Sequence, residues 1–361
     1  MRHICNIYFF IFLLNISSVG FCINSLTIHE AVKNRNYELV KKILSVKVKV
    51  NAYDKNKMTP LHYSTREGFS KITKLLLENG AKVTLKDKYE NTPLHYACIK
   101  GNKEIAELLI LHGAKVNAEN YNKKIPFHYA ALNGHFELAK YLVSKKAKYN
   151  SKTKLEYTSL HFAAMSNNLD ITEFLLKKGI SVNCKNKDKR TPLHYAAQKG
   201  HLYIALFLIF KNAKINAHDK NKNTPLHLTI PGNNILVAKY LIEKGAKVNA
   251  KNISNNTPLH IAAETGNIDI ARLLIDKKSD LNPLNLEMET PLHLAVRKEK
   301  PEMVEFLLKK GVYVDPLNAK EKTPYDIAKK LDYKNIMDIL VKWKAKTYGR
   351  VNVRNLGSRR L

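Results

Sequence analysis

The stretch "TPLHYAAQKGHLYIALFLIFKNAKINAHD", residues 191–219, decides the reading of the whole chain. Thr191 suits a helix N-cap, and Pro192 suits the first helical position, where its missing N–H costs nothing. Leu193, Ala196 and Ala197 give a short helix a narrow apolar face, and the small residues allow a neighbour to approach closely. Gly200 ends this helix through a left-handed residue. The run "HLYIALFLIF" then carries a heavier helical pattern, followed by "AKINA" and a polar turn that projects away from the helices.

The stretch recurs. Thr59, Thr92, Ile125, Thr158, Thr191, Thr224, Thr257, Thr290 and Thr323 share one slot at intervals of 33 residues, without an insertion or deletion. One step further back lies Leu26, where "LTIHEAV" is a degenerate copy and Thr27 and Glu30 can form a capping box in place of the lost threonine. Ten repeats result, each a helix pair too short to bury its own faces, so the repeats must stack. The last repeat carries Asp326 where histidine is expected, and its second helix is more polar, as a terminal repeat requires.

These repeats resemble ankyrin repeats, and the resemblance covers nearly everything after the first twenty or so residues. It implies an all-α ankyrin-repeat solenoid whose polar turns form short β-hairpin fingers. The array is expected over 21–346, followed by a basic C-terminal tail, 347–361. The lysine- and asparagine-rich style is similar to that of ankyrin proteins of intracellular bacteria and some eukaryotic parasites. Missing glycines test the resemblance: the residue two before each Thr slot is never glycine, as at Lys57, Glu90, Lys123 and Asn255, so the fingers are expected to be strained or loose.

Nine of the fourteen histidines lie three residues after the slot: His29, His62, His95, His128, His161, His194, His227, His260 and His293. Taken singly, each could be a base or a metal ligand. Taken together they form a ladder rather than a cluster. The resemblance implies that each imidazole bonds the threonine and backbone, stitching a turn to its helix and to the adjacent repeat. No Gly-rich phosphate loop, HExxH, GxSxG or paired-cysteine motif occurs, so no catalytic, cofactor or metal residue is expected.

The net charge of +30 invites a polyanionic partner, yet only ten of the 61 basic residues are arginine. Arginine is the usual bidentate reader of phosphate and guanine, which disfavours nucleic acid. Cys98 and Cys184 fall in small apolar slots far apart, and the four cysteines show no metal-ligand spacing. The N-terminus, "MRHICNIYFFIFLLNISSVG", has the form of a secretory signal, with Ser18 and Gly20 suited to a cut before Phe21. Secretion is the expectation, and a membrane anchor made of an uncleaved N-terminus is the alternative.

In the ankyrin family a partner usually meets the finger tips and the exposed side of the first helices. Carried onto this chain, that places a lysine ridge at Lys55, Lys88, Lys154, Lys187 and Lys220, with Lys86, Lys152, Lys185 and Lys251 beside it. Tyr53, Tyr89, Tyr121 and Tyr157 lie in or beside early fingers, and Ile99, Leu132 and Met165 sit on the groove side. Tyrosine offers large contact area at low ordering cost. A late finger differs, with Leu284, Leu286 and Met288 exposed as an apolar knob that Pro316 and Leu317 extend, and Leu281 buried. The expected partner is a protein, acidic in character, a host protein included, with an anionic membrane surface as the second option and the chain itself monomeric.

One repeat breaks the pattern. In "TPLHLTIPGNN" (224–234), Pro231 removes the amide that would bond the His227 carbonyl. The first helix should end about a turn early, with Gly232 turning the chain and Asn233 holding the usual stop slot.

Overall fold

The computed structural model describes residues 27–46 and 48–344. The signal-like leader and the basic tail lie outside the described residues. Those that are described form two compact bodies. One ends at Ser166 and adds Glu173–Leu175, and the other joins Asn167–Thr172 to the residues from Leu176 onward.

The N-terminal body begins with the pair Ile28–Lys33 and Tyr37–Ser45. Pairs Pro60–Glu67 with Ser70–Glu78, Pro93–Lys100 with Lys103–Leu111, and Pro126–Asn133 with Phe136–Ser144 follow, then the first helix Ser159–Met165. In this body each first helix packs on the next first helix, the first four also pack on their own partners, and the second helices pack on one another in the same order. The C-terminal body repeats the plan from Pro192–Lys199 with Leu202–Phe210 through Pro291–Arg297 with Pro301–Lys309. It closes with Pro324–Lys330 and helical residues 334–344. Its core is built from the same slots, with Leu193, Leu226 and Leu259 wholly buried beside Ala196 and Ala262. Burying each such leucine contributes roughly 1.5–3 kcal/mol, spread over both flanking repeats.

The expected β-hairpin fingers are not there: no β-strand occurs among the described residues. The reason is visible in the second finger. Asp54 donates its N–H to the Met58 carbonyl at 3.0 Å, and Lys57 donates back to the Asp54 carbonyl at 2.9 Å. The Asp54 Oδ1 then accepts the N–H groups of Asn56 and Met58, both at 2.8 Å. A side chain thus takes the donors that a ladder would need, and the finger is an Asx-closed turn. Neighbouring fingers share only one backbone bond, as in Lys88 N–H to Asn56 O at 3.0 Å and Leu286 N–H to Ser254 O at 3.0 Å.

The missing glycines have a definite consequence. Lys57, Glu90, Lys123, Glu156, Lys189, Lys222, Asn255, Met288 and Glu321 all adopt left-handed backbone, with φ between 53 and 61°. Each costs on the order of 1–2 kcal/mol relative to glycine. The fingers are therefore strained, and alike.

The Thr224 repeat is dented as its proline requires. Its first helix is Pro225–Thr229, five residues against eight in Pro192–Lys199. One detail differs from expectation: Asn233, at φ 50°, makes the left-handed turn, and Gly232 does not. Ile230 keeps right-handed helical geometry although it precedes a proline, and the reversal comes only at Asn233. The Asn267 side chain caps the Ile230 carbonyl left open at this end.

Candidate functional site

Each repeat has a buried corner and an exposed tip, and the corner is built first. In the Thr191 repeat, the Thr191 N–H donates to His194 Nδ1 at 3.1 Å, and the hydroxyl lies 2.9 Å from the same nitrogen. Nδ1 must therefore be an acceptor and Nε2 carries the proton, which it donates to the Asn223 carbonyl at 3.1 Å. Asn223 immediately precedes the next threonine, so one neutral ring joins two repeats. The same bond runs from His62 to Asn91 (3.1 Å), His95 to Lys124 (3.0 Å) and His260 to Glu289 (2.9 Å). Burial pushes His95, His128, His194, His227 and His260 down to about 4, so they stay neutral near pH 7.

Two repeats modify the corner. Ile125 offers no acceptor, so only the reciprocal bond remains, its N–H donating to His128 Nδ1 at 3.0 Å. His128 also reaches Ser151 O at 3.0 Å, in place of the carbonyl before the next threonine. At Thr323, where Asp326 replaces histidine, the carboxylate accepts the Thr323 N–H at 2.9 Å. That bond and the hydroxyl's hold the Asp326 pKa below the usual carboxylate range. Thr27 and Glu30 make the expected capping box at the other end.

The tips rest on a second ladder that sequence reasoning passed over. Asp54, Asp87, Asn120, Asn186, Asp219, Asn252, Asn285 and Asn318 recur five residues before the slots from Thr59 to Thr323, with Thr153 standing in their place before Thr158. Each Asp or Asn closes its own turn as Asp54 does: Asn285 Oδ1, for example, accepts from Glu287 and Glu289, each at 2.9 Å. Several also reach back to the turn before. The side-chain amide of Asn120 bonds Asn91 Oδ1 at 2.8 Å, and those of Asn252 and Asn285 bond Asn223 and Asn256, each at 3.1 Å. In early repeats a tyrosine of the first helix joins this slot: Tyr63 and Tyr96 donate to Asp54 and Asp87 at 2.5 Å. Burial and that bond raise the Tyr63 phenol to about 12. Asparagines of the "AKVNA" segment form a further clamp, Asn51 accepting from Lys82 N–H at 2.8 Å and donating to Gly80 O at 3.1 Å. Both ladders are period-33 Asx positions, a signal present in the sequence beside the more conspicuous histidines.

On this frame Tyr53, Tyr89 and Tyr121 are each more than half exposed, at 52, 58 and 61%. Lys88 lies 5.0 Å from the Tyr89 ring and Lys154 lies 4.6 Å from the Tyr121 ring, so lysine and tyrosine alternate as cation–π pairs. Tyr121 N–H bonds Tyr89 O at 3.1 Å, which brings those two tips together. Ile99 is exposed, while Leu132, Met165 and Tyr157 are half buried; Tyr157 stacks on Phe162 with centroids 5.6 Å apart. Lys187 is exposed in the other body. There Leu284, Leu286, Met288 and Leu317 are all exposed, and Ile253, which the sequence reading passed over, joins them. Leu281 is half buried instead of buried.

The comparisons agree with this geometry. The family description "Ankyrin repeats (3 copies)" matches residues 28–120, 84–153, 127–219, 210–285 and 279–354, and the chain belongs to the ankyrin repeat family. Among solved structures it is similar to the crystal structure of the human ASB11 ankyrin repeat domain. The two are 28% identical with a TM-score of 0.57, over 62% of this chain and 99% of that domain. No curated protein matches the chain. The fold is consistent with a protein-interaction scaffold. Among the described residues no group of three or more His, Cys, Asp or Glu is placed to hold a metal ion, and no helix is long and apolar enough to cross a membrane.

Proposed function

We propose that the chain is a non-catalytic interaction scaffold that captures a protein partner through its finger tips and the adjoining side of its first helices. The observation that carries this reading is the contrast within each repeat. The corners use one set of bonds nearly throughout, whereas the tips change from lysine and tyrosine in the early and middle repeats to isoleucine, leucine and methionine in the late ones. Rigid support for varied exposed side chains is what a recognition surface needs. Tyr89 and Tyr121 with Lys88 and Lys154 form one candidate surface, suited to an acidic protein. Leu284, Leu286 and Met288 form a second, suited to an apolar contact.

The test is capture by the immobilised full chain. Leu286→Asp should abolish retention of a partner held by the late tips, and Tyr89→Ala should weaken one held by the early tips. If both variants retain every partner as the parent does, the reading fails. The lysine- and asparagine-rich style and the leader-like residues 1–20 support export toward a host protein. Sequencing of the mature N-terminus addresses that part. A start near Phe21 supports secretion, and a retained Met1 in a membrane fraction supports anchoring instead.

A further inference from the structure

Lys124 departs from every other residue at its slot, immediately before the capping position. Elsewhere that slot holds Met58, Asn91, Tyr157, Arg190, Asn223, Asn256, Glu289 and Lys322. The other charged members each have an opposite charge or solvent beside them: Arg190 lies 3.3 Å from Asp219, Glu289 is paired with Arg297 through Oε1 while its Oε2 has no hydrogen-bond partner, and Lys322 is exposed. Lys124 is half buried, and its ammonium makes no salt bridge among the described residues. It sits between two rings, 5.1 Å from the centroid of Tyr129 and 5.0 Å from that of Phe162. Its backbone is fixed on both sides, the N–H bonding Asn120 Oδ1 at 2.9 Å and the carbonyl accepting from His95 at 3.0 Å.

Among the described residues the surroundings offer this charge the faces of two rings and no carboxylate. Glu90 and Glu156 are already engaged by Lys86 at 2.9 Å and Lys152 at 3.4 Å. Burial lowers the Lys124 pKa, and no carboxylate acts against that shift. Lys88, Lys123 and Lys154 on the tips around it also lack salt bridges among the described residues, so the local excess of charge is positive. The first helices of the same two repeats, packed on each other, carry Ile99 and Leu132, neither of them fully buried. The next repeat adds the stacked rings of Tyr157 and Phe162.

We propose that Lys124 anchors an extended acidic peptide segment of a partner protein, one carboxylate pairing with its Nζ while an adjacent apolar side chain packs on Ile99 and Leu132. This rests on the scaffold reading and adds the chemistry of the partner. The reason is electrostatic. Folding has already removed part of the hydration of this ammonium, so a carboxylate arriving there meets a smaller desolvation cost than at an exposed lysine. The aromatic walls lower the local dielectric and hold the amine in place, and a charge-assisted hydrogen bond is the strongest one available to it. The exposed lysines nearby steer the segment and set its salt dependence.

The experiment uses the full chain and fluorescein-labelled peptides of about twelve residues, alternating Glu with Leu or Gln with Leu, read by fluorescence anisotropy. Lys124→Met should raise the Kd for the Glu/Leu peptide by about tenfold or more, and Lys322→Met by about twofold or less. Lys124→Arg should retain most of the affinity, and the Gln/Leu peptide should bind weakly and respond to none of the variants. Unchanged melting midpoints exclude misfolding as the cause, since the His95 bond uses the Lys124 backbone. Equal losses from Lys124→Met and Lys322→Met would overturn the proposal, as would an equal loss with the Gln/Leu peptide. So would phosphatidylserine vesicles that bind with the same Lys124 dependence, or a parent protein that binds neither peptide. A partner captured by the immobilised chain and indifferent to Lys124→Met would leave the scaffold reading standing and this inference fallen.

Discussion

The corner and the tip of a repeat are only a few residues apart, yet they obey opposite rules. At the corner, His194 makes its bonds to Thr191 and Asn223 just as His260 does to Thr257 and Glu289. At the tip, the residue four before the slot is Lys55, Lys88, Tyr121, Lys154, Lys187 and Lys220, then Ile253, Leu286 and Ala319. The corner is buried and shared by two repeats, so a change there is felt twice. The tip points to water and bonds mainly through its backbone, so its side chain is free to differ. Stability resides at the corner, and the recognition proposed above falls at the tip.

Acid should break the comparison most severely. Five corner histidines have folded pKa values of about 4 against an ordinary value near 6.5. The unfolded chain then binds more protons between those limits, so stability is complete above pH 6.5 and lost as pH falls toward 4. Each ring contributes up to about 1.4 kcal/mol per pH unit across that window. Urea midpoints measured from pH 7 to 4 should drop steeply, and a flat profile would show that the rings are not buried neutral.

A single corner comes next in size. His194→Ala removes a ring bonded to two repeats and should cost about 2–4 kcal/mol, while Lys187→Ala at a tip should change stability by less than about 0.5 kcal/mol. Equal effects in thermal melts would erase the distinction between the two regions. Smaller, and opposite in sign, is relief of the strained tips: Lys189→Gly should stabilise by about 1 kcal/mol. Met288→Gly should do the same and also weaken any partner held by the apolar tip, which separates strain from function in one variant. Smallest is Lys86→Ala, which removes an exposed pair with Glu90. A loss of about 0.5 kcal/mol or less, vanishing at high salt, is expected in the same melts.

The period of 33, the caps and the dented Thr224 helix can be read from residue types, because Thr, Pro, Gly and His each act through local backbone geometry. The fingers are less legible. Their strand-like outline comes from the family resemblance, whereas the Asp54 type of side chain closes each turn, and that depends on where a carboxylate or amide points. Leu281 and Ile253 show the same limit, since exposure at a tip is set by how adjacent fingers lean. Lys124 is invisible in the sequence for a related reason. Among so many lysines, only the placement of Tyr129 and Phe162 distinguishes it.

The Asx-closed turn has a consequence for solubility. A row of true hairpins would leave a strand edge at each end of the array, a template onto which another chain could add. Here most of the tip's donors are consumed by its own Asp or Asn, and one backbone bond per junction offers little to copy. Leucines and isoleucine can therefore stand in the open at late tips without inviting sheet growth. A chain whose surface has to stay sticky to one partner and inert to its own copies gains from fingers that are not strands.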